Sequence, residues 1–157
     1  MVVGRASAYL SSSAATPGEL AGLRRLNPDR SIPVAFYRFA MRFLPDEWDR
    51  GSESVDDWVT VVGGLALLSP GGHDPHHPLG RGLADLQYSE ARLERLLAAE
   101  GPVLRTLVIR MARFLAAKGR SVNWADAARL VLTHDASARE QLRRLIASDF
   151  YHTVTKG

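Results

Sequence analysis

The sequence predicts an all-α protein, a compact bundle of about eight helices arranged as one body or as two packed lobes. Apolar residues recur at helical spacing along most of the chain. No stretch alternates apolar and polar residues for long enough to predict a strand. Residues that cap helices precede several of the periodic segments. A chain of 157 residues is long enough to enclose a hydrophobic core of this kind.

The first half of the chain predicts a tail and three helices. Residues 1–15 contain short apolar stretches broken by serine, and we expect a mostly flexible N-terminal tail. Thr16 and Pro17 predict a helix start, because threonine caps helices and proline fits the first turn. The segment PVAFYRFAMRFL predicts a second helix. Residues 53–68 predict a third helix, which is so apolar that we expect it to be buried.

The second half begins after a loop at residues 69–78, SPGGHDPHHP, which proline and glycine mark as irregular. A short helix is predicted in PLGRGLADL. Ser89 begins a predicted helix that ends at Gly101, and Pro102 lies in the first turn of the next helix. Asn123 and Asp135 cap two more predicted helices. We therefore predict a single all-helical domain over residues 16–157, with a soft division near the 69–78 loop.

The charge of the chain is unevenly distributed. Residues 1–88 hold 8 basic and 10 acidic side chains, a net of −2, whereas residues 89–157 hold 12 basic and 7 acidic side chains, a net of +5. The two values agree with the net charge of +3 for the whole chain. A positive C-terminal half indicates an anionic partner, of which nucleic acid is the commonest. The alternative is a solvated basic surface without a partner.

The sequence does not predict an enzyme, a cofactor or a small-molecule substrate. It has no cysteine, so thiolate metal sites, disulfides and a cysteine nucleophile are excluded. It has no phosphate-binding loop and no dinucleotide fingerprint. His73, Asp74, His76 and His77 are residue types that bind zinc or nickel, but they lie in a proline-rich and glycine-rich segment that favours a solvated loop over a metal site. No apolar run is long enough to cross a bilayer, and no membrane partner is predicted.

The stretch GPVLRTLVIRMARFLAAKGR predicts an amphipathic helix that carries three arginines. Its apolar residues fall within one arc, and Arg105, Arg110 and Arg113 lie outside it. No carboxylate on the same helix can pair with them. Because no base-reading motif is present, these arginines favour contacts with a phosphate backbone that ignore base identity and weaken with salt.

An ordered series of motifs resembles one known family. The segments are AGLRRLNPDRSIPVAFYRF, LGRGLADLQYSEARLERLLAAE, LRTLVIRMARFLAAKGRSVNWADAARLVL and LRRLIASDFYHTVTKG. Taken in this order from Leu20 to the C-terminus, they are similar to the small subunit of the type I-E CRISPR Cascade complex, the CasB family. The segment THDASARE, which leads into the last predicted helix, is less basic than the resemblance leads us to expect.

The resemblance implies a non-catalytic, all-helical subunit of a crRNA-guided antiviral surveillance complex in the prokaryotic cytoplasm. Its implied partners are the backbone and large subunits of Cascade, a second copy of itself arranged head to tail, crRNA and DNA. Its basic surface would support the crRNA–target duplex and the displaced DNA strand during R-loop formation. The arginines that the resemblance and the charge pattern select for nucleic-acid binding are Arg24, Arg25, Arg92, Arg110 and Arg113, followed by Arg50, Arg81, Arg139 and Arg143. The alternative is a helical adaptor whose basic face docks an acidic protein.

Overall fold

The computed structural model of the protein describes residues 2–156. Within that span the chain is all-α, as predicted, and contains no β-strand; one isolated bridge pairs His73 with Val122. The helices are α1 (Val2–Leu10), α2 (Pro17–Arg24), α3 (Val34–Phe43), a short 3-10 helix (Asp46–Asp49), α4 (Ser52–Leu68), α5 (Leu79–Asp85), α6 (Glu90–Ala98), α7 (Gly101–Ala117), α8 (Trp124–Leu132) and α9 (Ala136–Lys156).

Several predicted helix starts are confirmed by side-chain hydrogen bonds to the first-turn amides. Such bonds satisfy N–H groups that have no partner within the helix. The oxygens of four cap residues accept them, at 3.1 Å for Thr16, 3.2 Å for Ser89, 3.1 Å for Asn123 and 2.9 Å for Asp135. The predicted end of α6 is wrong by a few residues. This helix ends at Ala98, and Gly101, with φ of +56°, begins α7 instead of ending α6.

The N-terminal segment differs from the flexible tail that we expected over residues 1–15. Met1 lies outside the described residues, but residues 2–10 form α1, which packs against α3, α4 and α8. Val3, Ala6 and Leu10 repeat at helical spacing and are buried. A nine-residue helix is marginal by itself, and burial of this apolar face in the common core offsets its weak intrinsic stability.

Helix α4 lies at the centre of the molecule, in agreement with the prediction that residues 53–68 are buried. It packs against α1, α2, α7 and α8, so it contacts helices from both halves of the chain. The indole of Trp124 is fully buried and lies directly against Gly64, where a Cβ atom would clash with the ring. The indole N–H donates to the carbonyl oxygen of Val61 at 3.0 Å. Gly64 of α4 therefore leaves the space that the ring of Trp124 from α8 occupies.

Two further contacts join the C-terminal part of the chain to segments that precede it. Helix α9 packs along α5, where Gly80 allows the backbone of Ile146 to come close. The 69–78 loop is hydrogen bonded to the segment before α8, since the amide of Asp74 donates to the carbonyl of Val122 at 2.9 Å. The amide of Asn123 donates to the carbonyl of His77 at 2.7 Å. The loop is therefore partly buried and tied to its neighbours, and our expectation of a solvated loop is wrong in this respect.

None of the helices between residues 2 and 156 combines the length and apolarity that crossing a bilayer requires.

Candidate nucleic-acid interface

Helices α6 and α7 present two of the predicted arginines to one groove. Leu93 and Leu96 of α6 are buried, whereas Arg92 is exposed at the edge of that buried face. In α7 the buried stripe turns Arg110 outward in the same way. The two arginines line a groove of about 390 Å³, which we call the α6–α7 groove and whose lining is Tyr88, Arg92, Arg95, Leu107, Arg110 and Phe114.

The α6–α7 groove combines positive charge with aromatic surface. The rings of Tyr88 and Phe114 meet edge to face, with centroids 5.2 Å apart. The guanidinium of Arg92 lies over both rings, 5.7 Å from the Tyr88 centroid and 5.8 Å from the Phe114 centroid. Burial raises the pKa of the Tyr88 hydroxyl, and the nearby charge of Arg92 opposes that shift. The phenol therefore stays neutral at physiological pH, and the positive charge of the groove is not reduced by it.

Arg113 is exposed on α7, three residues after Arg110. No carboxylate oxygen of residues 2–156 lies within 4.0 Å of the guanidinium nitrogens of Arg110 or Arg113. The same is true of Arg92 and Arg95. Guanidinium groups that are exposed and not neutralised are available to an external anion. The structure therefore supplies a set of uncompensated positive charges on α6 and α7.

Arg139 and Arg143 of α9 form a second pair, but a glutamate accompanies them. Glu100, which precedes α7, lies 3.5 Å from Arg139 and 3.6 Å from Arg143. Both distances are long for a charge-assisted hydrogen bond. The Nε atoms of both arginines are buried without a hydrogen-bond partner within the described part of the chain. These two arginines line a groove with Glu53, Glu100 and His134, so their charge is partly offset.

The other four predicted arginines line neither groove. Arg24 donates from Nε to the carbonyl of Ala66 at 3.0 Å and also contacts the carbonyl of Ser69, which places it at the C-terminal end of α4. Carbonyls at a helix end favour a cation, so Arg24 already has a structural role. The remaining three are exposed: Arg25 follows α2, Arg50 follows the 3-10 helix, and Arg81 lies on α5 in a cleft that it shares with Asp85 and Asp149.

Arg105 does not belong to the exposed set on α7 that the sequence predicted. It is only 9 % exposed and forms an ion pair with Asp57 of α4, with Nη1 and Oδ1 3.0 Å apart. His134 approaches the other oxygen of Asp57 at 2.8 Å. The side chain of Asp57 therefore joins α4 to α7 and to His134, which lies in the segment between α8 and α9. No local signal in the sequence distinguishes Arg105 from Arg110, because its partner lies 48 residues away.

A comparison with protein-family models decides the family. The model described as CRISPR-associated protein Cse2 matches residues 19–151, which is most of the chain. The chain belongs to the Cse2 family. This family provides the small subunit of type I-E Cascade, so the predicted resemblance is confirmed and the chain is a non-catalytic subunit of that complex.

A solved structure supports the same assignment. The Cse2-family fold matches a chain of E. coli Cascade, in a crystal structure of the complex bound to a PAM-containing dsDNA target, with a TM-score of 0.66 and 26% sequence identity. The match covers 100% of this chain and 97% of that chain. A comparison with curated proteins gives no match. Because Cse2 proteins are structural subunits without enzymatic activity, the prediction that the chain is not an enzyme is confirmed by its family.

The histidine-containing loop of this Cse2-family chain has a structural role. Nδ1 of His73 accepts a hydrogen bond from the backbone N–H of Trp124 at 3.1 Å, which requires a neutral ring. Burial lowers the pKa of His73, and the charge of Asp74 opposes that shift. His77 approaches Asp85 at 3.5 Å. Within residues 2–156 no three His, Asp or Glu side chains converge as a set of metal ligands.

Proposed function

We propose that this subunit uses arginines on its surface to hold nucleic-acid backbones within Cascade, supporting the crRNA–target duplex and the displaced DNA strand during R-loop formation. The observation that carries the proposal is the α6–α7 groove. Arg92 and Arg110 converge there with Arg95, and none of the three has a carboxylate within 4.0 Å in the described chain. Arg113 extends this positive surface along α7.

Contacts of this kind suit guided recognition. Pairing between guide and target reads the sequence, and the exchange of a DNA duplex for an RNA–DNA duplex is nearly balanced in free energy. Protein groups that bind phosphates without regard to sequence therefore tip that exchange. Arg25, Arg50 and Arg81 would add weaker contacts, since each is exposed. Arg24 would contribute while it also caps α4.

The proposed partners follow from the family and from the related complex. We propose that the chain assembles with the backbone and large subunits of Cascade in the prokaryotic cytoplasm, with crRNA, and with a second copy of itself arranged head to tail. The related E. coli chain belongs to a complex bound to double-stranded DNA. Two copies on one scaffold would gain affinity from their effective concentration, although each copy alone binds weakly.

The proposal is tested with a double substitution, Arg92→Gln with Arg110→Gln. Fluorescence anisotropy would report the binding of a labelled DNA strand at about 50 mM and about 200 mM salt. Each phosphate contact that is lost reduces the salt slope by about 1, so we expect a slope lower by about 2 and weaker binding at low salt. Binding that is unchanged by salt in the unmodified protein would overturn the proposal.

A control with the same change of charge is Arg5→Gln with Arg30→Gln, two exposed arginines outside both grooves. This control should retain most of the affinity. The adaptor alternative predicts a different outcome, in which the Arg92 and Arg110 substitutions prevent assembly with the other Cascade subunits and leave DNA binding unchanged. Co-purification of the tagged variant with the complex distinguishes the two.

A further inference from the structure

The α6–α7 groove has an apolar surface that phosphate binding does not require. Leu107 and Phe114 are partly accessible, and Tyr88, at 8 % exposure, closes the inner side. A site that bound phosphates alone would need only the guanidinium groups around it. The groove therefore suits an occupant with an apolar part as well as a negative charge.

The charges around the groove select an anion. Arg92, Arg95 and Arg110 line it, and no acidic side chain among the described residues shares that lining. Lys118 adds a further positive charge, with its Nζ 5.9 Å from the centre of the Phe114 ring. The groove at Arg139 and Arg143 differs, because two glutamates line it.

The planar side chains in the groove indicate that the apolar part of the occupant is flat. The Arg92 guanidinium lies over the rings of Tyr88 and Phe114, at 5.7 and 5.8 Å from their centroids. Nucleobases that are not stacked within a helix bind proteins by stacking on aromatic rings and on guanidinium planes. A single-stranded nucleotide supplies both a flat base and a phosphate, whereas a duplex keeps its bases inside and presents mainly phosphates at this kind of surface.

We infer that the α6–α7 groove holds an unstacked base of a single nucleic-acid strand, with the flanking phosphates bound by Arg92, Arg95 and Arg110. The base contacts Phe114 and Leu107 and stacks against the Arg92 guanidinium. This inference rests on the proposed function and specifies its ligand, since it makes this groove a site for a single strand in preference to a duplex. It also adds Phe114 and Leu107 to the residues that contact the strand.

The inference is tested by comparing two strands that carry the same phosphates. One is an oligothymidine of about 12 nucleotides, and the other is an abasic strand of equal length and charge. The unmodified protein should bind the abasic strand about 5- to 10-fold more weakly, because base stacking is absent. This measurement needs no variant, and its result does not depend on the folding of any substituted protein.

Phe114→Leu locates the effect in the groove. Leucine keeps apolar volume and removes the ring, so this variant should bind the two strands with nearly equal affinity. Tyr37→Leu is the matched control, because Tyr37 is an exposed aromatic residue of α3 outside the groove. It should preserve the difference between the strands. Thermal unfolding of each variant would confirm that the fold is intact.

Each outcome bears on the inference. If the unmodified protein binds both strands equally, or if Phe114→Leu preserves the full difference, the base site is wrong. The proposed function stands in that case, provided that Arg92→Gln with Arg110→Gln still weakens binding. If the protein binds neither strand at about 50 mM salt, both proposals fail. If an oligoglutamate peptide competes as well as oligothymidine does, the groove selects negative charge alone and the inference is overturned.

Discussion

Arg105 and Asp57 form an ion pair inside the bundle, where water cannot screen either charge. Asp57 is 3 % exposed, and it contacts both Arg105 and His134. Two charges taken out of water are stabilised by each other, and removing one leaves the other buried without compensation. The pair joins α4 to α7, and His134 extends the contact to the segment that follows α8.

We predict that Asp57→Asn destabilises the protein by about 3 kcal/mol, because it leaves the Arg105 guanidinium buried with a neutral partner. Chemical unfolding monitored by circular dichroism would measure the change.

Asp56→Asn is the control, since it removes the same charge from the neighbouring position. Asp56 lies 3.8 Å from Arg105 and is more exposed, so its loss should cost less than about 1 kcal/mol. Equal effects of the two substitutions would contradict the importance of the buried pair.

Residues that act within their own turn were predictable from the sequence, and residues that act across the molecule were not. Thr16, Ser89 and Asn123 cap helices that begin directly after them, so the neighbouring sequence contains the whole signal. Arg105 and Arg110 occupy the same helix and have similar neighbours in sequence. Only the packing of α4 against α7 determines that one is buried and the other exposed.

At the scale of helices, α1 was not predicted because its stability depends on contacts across the molecule and not on its own sequence. Its apolar residues Val3, Ala6 and Leu10 have helical spacing, but one glycine and one serine reduce the intrinsic helix propensity of the segment. Contacts with α3, α4 and α8 provide the stability that the sequence of this segment lacks. Helices α4 and α7, with 17 residues each, were predictable because they are long and strongly apolar on the buried side.

The contact of α4 with α8 predicts a strong effect of a small substitution. We expect Gly64→Ala to destabilise the protein by about 1–3 kcal/mol, because the added methyl group would overlap the buried ring of Trp124. Thermal unfolding would measure the shift. The fluorescence of Trp124 should change as well, since its ring must move.

Gly22→Ala provides the comparison, because the new methyl group there meets only Ala35, at an ordinary contact distance of 3.7 Å. Alanine has the higher helix propensity, so this variant should be stabilised by up to about 1 kcal/mol. A similar stabilisation in Gly64→Ala would show that α4 and α8 do not pack as closely as described.

At the scale of the whole molecule, the positive charge of the C-terminal half is divided between buried, paired and free arginines. Arg105 and Arg139 are buried, Arg139 shares Glu100 with the partly buried Arg143, and Arg92 and Arg110 remain without a carboxylate partner in the described chain. The sequence predicted the excess of charge but not this division, because it depends on which helices are neighbours. The aromatic surface beside Arg92 was also missed, since Phe114 fits a core position by its spacing.

If Arg139 and Arg143 bind a phosphate backbone, Glu100 competes with that backbone. We therefore predict that Glu100→Gln strengthens DNA binding by about 2- to 5-fold at low salt and makes the salt slope steeper by about 1. Titration of a labelled strand at several salt concentrations would measure both quantities.

Glu47→Gln is the matched control, because Glu47 is exposed in the 3-10 helix and removing it changes the net charge equally. If both variants strengthen binding to the same extent, only the net charge matters, and Arg139 and Arg143 are not contacts.

The placement of Trp124 against α4 has a mechanical consequence for assembly. Trp124 belongs to the C-terminal half of the polypeptide and packs into the N-terminal half, against Gly64. The 69–78 loop is hydrogen bonded to the residues just before Trp124. The two halves therefore cannot hinge apart without breaking the core. The subunit should therefore enter its complex as a rigid body, and any rearrangement when DNA is bound should move it as a unit without reshaping it.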